Sequence, residues 1–596
     1  MRDFFKTLLA SLVALVLFSG MAFLIFLGVV ASMGPATPTV PAKAILVFDL
    51  SQPIPDSAQE AGPQEAIQRA LAGGGSDGTP LPVLLNTLEK AAKDKNIAAL
   101  YLTGNVQGAG YASGPAALRE LREALQRFKQ ESGKPVIAYN LNFGKLDYYL
   151  CAGATTVYLH PFGGLDVTGL ASEPMFYAGA MKKYGIEMQV TRVGKYKSAV
   201  EPYFLEKMSD ANREQTARFL GDIWEEWKSI VAADRKKTPE LIQQLADEKM
   251  ALMPKEALET GLVDKLATPD EVLDELKKLA GKQAKDRDFP QIALETYAKI
   301  PSEAKGKHRI AVVYAEGAIV DGEGAGNQVG GDRVSRELRR LRLDSKVKAI
   351  VLRVNSPGGS ATASELIQRE VILCKAAGKP VVVSMGYVAA SGGYWISTYA
   401  DRIFAQPNTI TGSIGVFGTL PNVKKLANDH GITWDSVQTA KLAAPSLARP
   451  RTPEELARIQ SLVDDIYDQF LAKVAEGRKM QKEAVHEIAQ GRVWSGKEAQ
   501  KLGLVDEMGG LRDAIAHAAK LAKIEGDYKV DAPEAAKPPI EKIMKMLGGS
   551  EKRKIVRAKG PAEQLKAEFE QMLAGLSALN DPRGVYARMP FDLNIK

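Results

Sequence analysis

Hydrophobic and polar positions divide this chain into unlike stretches. From Thr7 to Met33 nearly every residue is apolar or small, and no charge occurs between Lys6 and Lys43. The run exceeds the roughly 20 apolar residues that cross a bilayer and the core of about 7–15 residues in a cleavable export signal. It predicts an uncleaved transmembrane anchor. A cleaved export signal is the alternative, and either one carries the body of the protein outside. Arg2 and Lys6 precede the run, which predicts a cytoplasmic N-terminus and a single-pass protein of the cytoplasmic (inner) membrane with its body on the periplasmic, outer face. The segment GPATPTVPAKA that follows is rich in proline and small residues and reads as a short extended tether.

Beyond the tether, short β-branched runs (VKAIVLRV, PVVVSM, RIFA) alternate with amphipathic stretches such as SELIQREVILCKAAG. Apolar residues in the latter recur at helical spacing, so the pattern predicts βαβ units with largely buried strands. The pattern occurs twice. ILVFDLSQPIPD from Ile45 resembles IAVVYAEGAIVD from Ile310, DKNIAALYL from Asp94 answers DSKVKAIVL from Asp344, GKPVIAYN from Gly133 answers GKPVVVSM from Gly378, and EALETGLVD from Glu256 answers EAQKLGLVD from Glu498. The order is kept while the offset falls through 265, 250, 245 and 242 residues, as in a duplicated domain with small insertions and deletions. This gives an anchor and tether over 1–43, a first repeat over 44–300, a second over 301–530 and, where proline, lysine and glutamate become frequent, a C-terminal tail over 531–596.

Composition narrows the function classes. A chain of 596 residues is too long for one core, and 45% hydrophobic with 25% charged residues is globular in character. The net charge of +7 is spread over 78 basic and 71 acidic residues, too dilute to mark a nucleic-acid face. Cys151 and Cys374 sit in unlike contexts, and His160, His308, His430, His486 and His517 are scattered outside any motif. Neither thiol chemistry, a metal nor another cofactor is indicated.

Three segments of the second repeat hold candidate chemistry: NSPGGS (355–360), YVAASGGYW (387–395) and TITGSIGVFG (409–418), each after a strand-like run. A serine directly before Gly392 and Gly393 suits a tight strand-to-helix turn, with its hydroxyl exposed and backbone N–H groups facing a substrate. Singly, each segment reads more readily as a glycine-rich turn capping a helix with a serine N-cap. Together and in this order they resemble the Clp-protease/crotonase fold and, more closely, the long two-domain form of the signal peptide peptidase A family. In that family SPGG, A-A-S-G-G-Y and T-G-S-I-G follow one another. VGKYKSAVEP (193–202) in the first repeat resembles the family's Y-K-S-A-x-x-P segment.

The resemblance covers roughly residues 1–530. It implies tandem α/β domains of the Clp/crotonase type, Ser391 as nucleophile, Lys197 as general base, backbone N–H groups of Gly359 and Gly392 at the oxyanion, and Ser413 hydrogen-bonded to the lysine. It further implies a serine endopeptidase acting on remnant signal peptides and other short or unfolded segments, and a homotetramer. The chemistry is consistent by itself: a serine hydroxyl needs a base, no histidine stands in a motif, and a desolvated lysine can serve. Lys195 is the neighbouring competitor, but the family pattern places the lysine directly before Ser198 and Ala199.

At the repeat offsets Ser391 falls opposite Leu146 and Lys197 opposite Ala443, so each half lacks what the other keeps. One site built from both halves is expected. The first repeat has TGNVQGAG from Thr103 in place of SPGG and is not expected to form a second centre. Two other readings remain: a membrane-anchored scaffold without turnover, and crotonase-type acyl-thioester chemistry, whose activity would survive loss of Ser391.

Overall fold

The β-branched runs form parallel strands because both faces of each are covered. In the computed structural model the described residues are 38–57, 78–106, 113–301, 306–443, 447–531, 579–581 and 584–589, with scattered positions between 7 and 21. Most of the predicted anchor over 7–33 lies outside them. Among the described residues no helix is long and apolar enough to cross a membrane.

The first repeat carries β1 (Ala44–Asp49), β2 (Ile97–Thr103), β3 (Val136–Phe143), β4 (Thr156–Leu165), β5 (Glu187–Val193), β6 (Lys265–Leu266) and β7 (Gln291–Ala293). The second carries β8 (His308–Glu316), β9 (Ala318–Val320), β10 (Gln328–Gly330), β11 (Val347–Ser356), β12 (Gly358–Ser360), β13 (Val381–Ala390), β14 (Arg402–Ala405), β15 (Ile410–Gly412), β16 (Val416–Asn422), β17 (Val493–Ser495), β18 (Glu507–Met508) and β19 (Tyr528–Asp531). A last strand, β20 (Val585–Arg588), lies in the stretch read from sequence as a tail.

One sheet of the first repeat has the order β6-β4-β3-β2-β1-β7; the corresponding sheet of the second runs β17-β15-β13-β11-β8-β19, with β14 and β18 branching from β13. Pairing register bears out the duplication. Leu46 faces Leu100 and Ala311 faces Ile350; Leu100 faces Val136 and Ile350 faces Val381; Tyr158 faces Lys265 and Phe404 faces Glu507. These pairs reproduce all four sequence offsets, so the two sheets are the same construction. Each has its own core, centred on Leu46, Leu100 and Val157 in the first and on Val313, Leu352 and Val383 in the second. The architecture is mixed α/β in two tandem repeats.

A third sheet, β10-β9-β12-β20-β16-β5, joins the halves. Its outer strand β5 belongs to the first repeat and pairs antiparallel with β16 from Val193↔Val416 to Glu187↔Asn422. That pairing delivers the chain after Val193 to the edge of the second repeat. Beneath it the halves are also joined by ions: fully buried Arg353 on β11 meets Asp56 at 2.6 Å and Glu120 at 2.7 Å, both from the first repeat.

Candidate active site

Strand β13 is buried along its whole length and ends at Ala390, where the chain turns into the short helix Gly392–Trp395. Ser391 makes the turn with φ 57° and ψ −113°. Such a conformation costs a non-glycine residue about 1–3 kcal/mol and persists only where its surroundings hold it. They do so here: the Ser391 N–H donates to the Gly412 carbonyl at 2.8 Å, and the Trp395 N–H donates to the Ser391 carbonyl at 2.7 Å. Gly358 has a φ of 91°, and a Cβ on it would lie 2.6 Å from the Gly392 nitrogen, so only glycine lets the two loops close on each other. The SPGG and ASGG segments, far apart in sequence, are thereby brought together.

Lys197 arrives from the other repeat, immediately after β5. Its Nζ lies 2.8 Å from Ser391 Oγ, 3.0 Å from Ser413 Oγ and 3.1 Å from the Ser413 carbonyl oxygen. Lys197, Ser391 and Ser413 are all fully buried. Burial holds the Lys197 amine well below the usual lysine range, because the charged form loses its hydration. A neutral amine has two N–H donors and one lone pair. The three contacts match that inventory, with the donors on Ser413 and the lone pair free to accept from the Ser391 hydroxyl.

The other candidates have different partners. Lys195 is exposed, its Nζ 5.1 Å from the centre of the Tyr196 ring. Ser384 accepts a hydrogen bond from Arg353, and Ser360 caps helix Ala361–Ala376 through the Ala363 N–H while donating to Asp581 at 2.6 Å.

Residues 128–283 and 374–525 match peptidase family S49. Protease 4 of Salmonella typhi is 38% identical over 569 residues, covering 92% of this chain and 90% of its own. The chain belongs to peptidase family S49. Protease 4 of Haemophilus influenzae is 37% identical, covering 84% of this chain and 83% of its own, and the chloroplastic serine protease SPPA of Arabidopsis thaliana is 33% identical over 80% and 71%. A solved ClpP1 mutant from Listeria monocytogenes aligns with 34% of this chain at 20% identity and a TM-score of 0.24, too slight a likeness to bear on the fold. This S49 peptidase is a serine protease.

Two further residues of the S49 peptidase shape the lysine's surroundings without belonging to any motif singled out in the sequence. Gly491 has a φ of 79°, and a Cβ on it would stand 2.7 Å from both the Lys197 nitrogen and Cβ. Its neighbours tie the same spot down: the Tyr196 N–H donates to the Gln490 carbonyl and the Ser413 N–H to the Arg492 carbonyl. Gln215, on helix Asp210–Arg235, donates to the Tyr196 carbonyl and to Ser198 Oγ, both at 3.0 Å, and accepts from the Val493 N–H at 3.2 Å. It clamps the lysine loop of one repeat to β17 of the other. A lone glycine in GRVW and a glutamine on a helix carry no local signal of such roles.

Proposed function

We propose that this S49 peptidase is a membrane-anchored signal peptide peptidase working through a Ser-Lys dyad, with Ser391 as nucleophile and Lys197 as general base. The observation that carries the reading is the 2.8 Å approach of Nζ to Oγ, made by two fully buried side chains from different repeats. Neutral Lys197 takes the hydroxyl proton as Oγ attacks the peptide carbonyl, and the backbone N–H groups of Gly359 and Gly392 hold the developing oxyanion. Lys197 then gives the proton to the departing amine. A water molecule, activated by the same amine, hydrolyses the acyl-enzyme. Ser413 orients the base throughout.

The substrates proposed are remnant signal peptides and other short or unfolded segments, and the assembly a homotetramer at the outer face of the cytoplasmic membrane. Support comes from the apolar run over 7–33, from Arg2 and Lys6 ahead of it, from relatives named Protease 4, and from one named "Putative signal peptide peptidase SppA" that matches 33% of this chain. A site tethered near the bilayer suits apolar peptides.

The decisive experiment is Ser391→Ala. Peptide hydrolysis is expected to vanish and labelling by a serine-directed covalent probe to be lost, with an unchanged circular dichroism spectrum; turnover near the parent's would overturn the assignment. A reporter fused after residue 43 should lie outside and the full-length chain stay with salt-washed membranes, whereas release of a shortened form would point to a cleaved signal. Light scattering of the detergent-solubilised protein tests the tetramer.

A further inference from the structure

The two strands that bring the serine and lysine loops together also lead away from them. β16 begins at Val416, just beyond Ser413, and Ser391 Oγ lies 3.5 Å from the carbonyl oxygen of Gly415, the residue before it. β5 ends at Val193, just ahead of Lys197. Paired antiparallel from Val193↔Val416 to Glu187↔Asn422, they form a ribbon with the dyad at one end. At about 3.3 Å per residue, the other end is about 20 Å away. There Glu187, Met188 and Asn422 line an open cavity of about 1240 Å³, bounded also by helix Ala178–Lys183 and by residues 203–210.

The lining is apolar and adaptable. Met181, Met188, Tyr203, Phe204 and Met208 contribute to it, and its lysines are matched in number by its carboxylates, so no net charge selects a charged ligand. Thioether side chains adjust to partners of different shape. The volume exceeds the roughly 300–1,000 Å³ of a small-molecule pocket and suits a length of peptide. An apolar face runs from the dyad to this cavity. Residues opposite each other in an antiparallel pair share a face, which sets Phe417, Thr419 and Pro421 of β16 beside Arg192, Val190 and Met188 of β5. Phe417, Val190 and Tyr203 pack in one cluster, and Tyr203 and Met188 continue into the cavity lining. Among the described residues, the edge of β16 away from β5 is paired with β20 only at Phe417 and Gly418. β20 runs antiparallel there, so a peptide adding to that edge in the same sense has its N-terminal side toward Asn422.

We propose that this cavity is a distal subsite of the peptidase, taking apolar side chains of the substrate that lie well upstream of the scissile bond. The proposal rests on Ser391 and Lys197 as the catalytic pair. In an extended peptide running antiparallel to β16, the residue beside Pro421 lies four positions upstream of the one beside Phe417, and alternation turns both side chains to the same apolar face. From that residue onward the peptide enters the cavity while its reactive bond stays at Ser391. The enzyme thereby selects an apolar stretch at a set distance before the cut, besides whatever it reads at the cut itself. Peptides too short to pass Pro421 are hydrolysed without this contribution.

The test uses the full-length protein and fluorogenic peptides that share one cleavage sequence. They are extended on the N-terminal side by about eight leucine and alanine residues, or by as many serine and glycine residues, each ending in a lysine pair for solubility. The apolar extension is expected to raise kcat/KM by roughly 10- to 100-fold over the polar one. Met181→Glu and Met208→Glu, both in the cavity lining and outside the catalytic contacts, are expected to erase that gain while hydrolysing an unextended peptide at the parent's rate. Equal kcat/KM for the two extensions in the parent, or a gain that survives both substitutions, overturns the subsite and leaves the dyad standing. Fluorescence anisotropy with Ser391→Ala reads binding without turnover: the apolar peptide is expected to bind more tightly than the polar one, and to lose that advantage when Met181→Glu is added. Hydrolysis of the unextended peptide by Ser391→Ala at the parent's rate overturns the dyad, and the subsite with it.

Discussion

Buried with only neutral hydrogen-bond partners among the described residues, the amine of Lys197 keeps too little of the stabilisation that water gives its charged form, and so gives up its proton more readily than a lysine in water. Only the neutral form accepts the Ser391 proton. With the free-enzyme pKa lowered from 10.5, kcat/KM is expected to climb with pH along a single limb that lies below 10.5 and levels off above it. Lys197→Arg should be inactive at every pH, since a guanidinium stays charged. A pH–rate profile checks both, and a limb centred near 6.5 would implicate a histidine instead. Gly491 tests the lysine's placement from the other side. A methyl group at Gly491 would meet the Lys197 backbone at 2.7 Å, so Gly491→Ala is expected to lower kcat by about 100-fold through displacement of Nζ, with KM changed far less. Steady-state kinetics separates the two constants.

Among the elements, helix Asp210–Arg235 is amphipathic for a second purpose besides packing. Trp224 and Trp227 stack against each other and face the first-repeat core, while Gln215, one end of the same helix, spans from the lysine loop to β17. β17 pairs with β15, whose Gly412 carbonyl holds the Ser391 N–H. Gln215 is thus a positioning residue between base and nucleophile. Gln215→Ala is expected to reduce kcat by about 10- to 100-fold while leaving the position of the alkaline limb unchanged, because the amine stays buried. Kinetics across pH would show it, and a shifted limb would mean that water had entered around Lys197. Helix type and amphipathic face are legible in the sequence; this bridging role is not, since nothing local distinguishes Gln215 from a surface glutamine.

At the scale of the whole molecule, the halves are locked by ions as well as by the shared sheet. Arg353 is enclosed by Asp56, Glu120 and Ser384, and Asn355 adds a 2.7 Å hydrogen bond to Asp56. Removing only the cation leaves two buried acids unpaired. Arg353→Met is therefore expected to destabilise the fold by about 3–5 kcal/mol, and Arg353→Met combined with Asp56→Asn and Glu120→Gln to recover much of that loss. Urea titration of each variant measures it, and a loss under about 1 kcal/mol would show that the cluster is already neutral or hydrated.

Local pattern alone determined a good deal here: the apolar run over 7–33, the strand and helix periods, the duplication, and the glycine-rich turns after β11 and β13. Each depends on neighbours within a few residues or on self-similarity, which a sequence carries openly. Packing decided the rest. Lys197 and Ser391, 194 residues apart, meet because β5 crosses to pair with β16; Gly491 matters only because the lysine backbone passes over it; and a strand from the stretch read as a tail lies between β12 and β16, pairing with both. Contacts of that kind are set by the free energy of burying surfaces from distant segments together, and no short-range periodicity encodes which segments will meet.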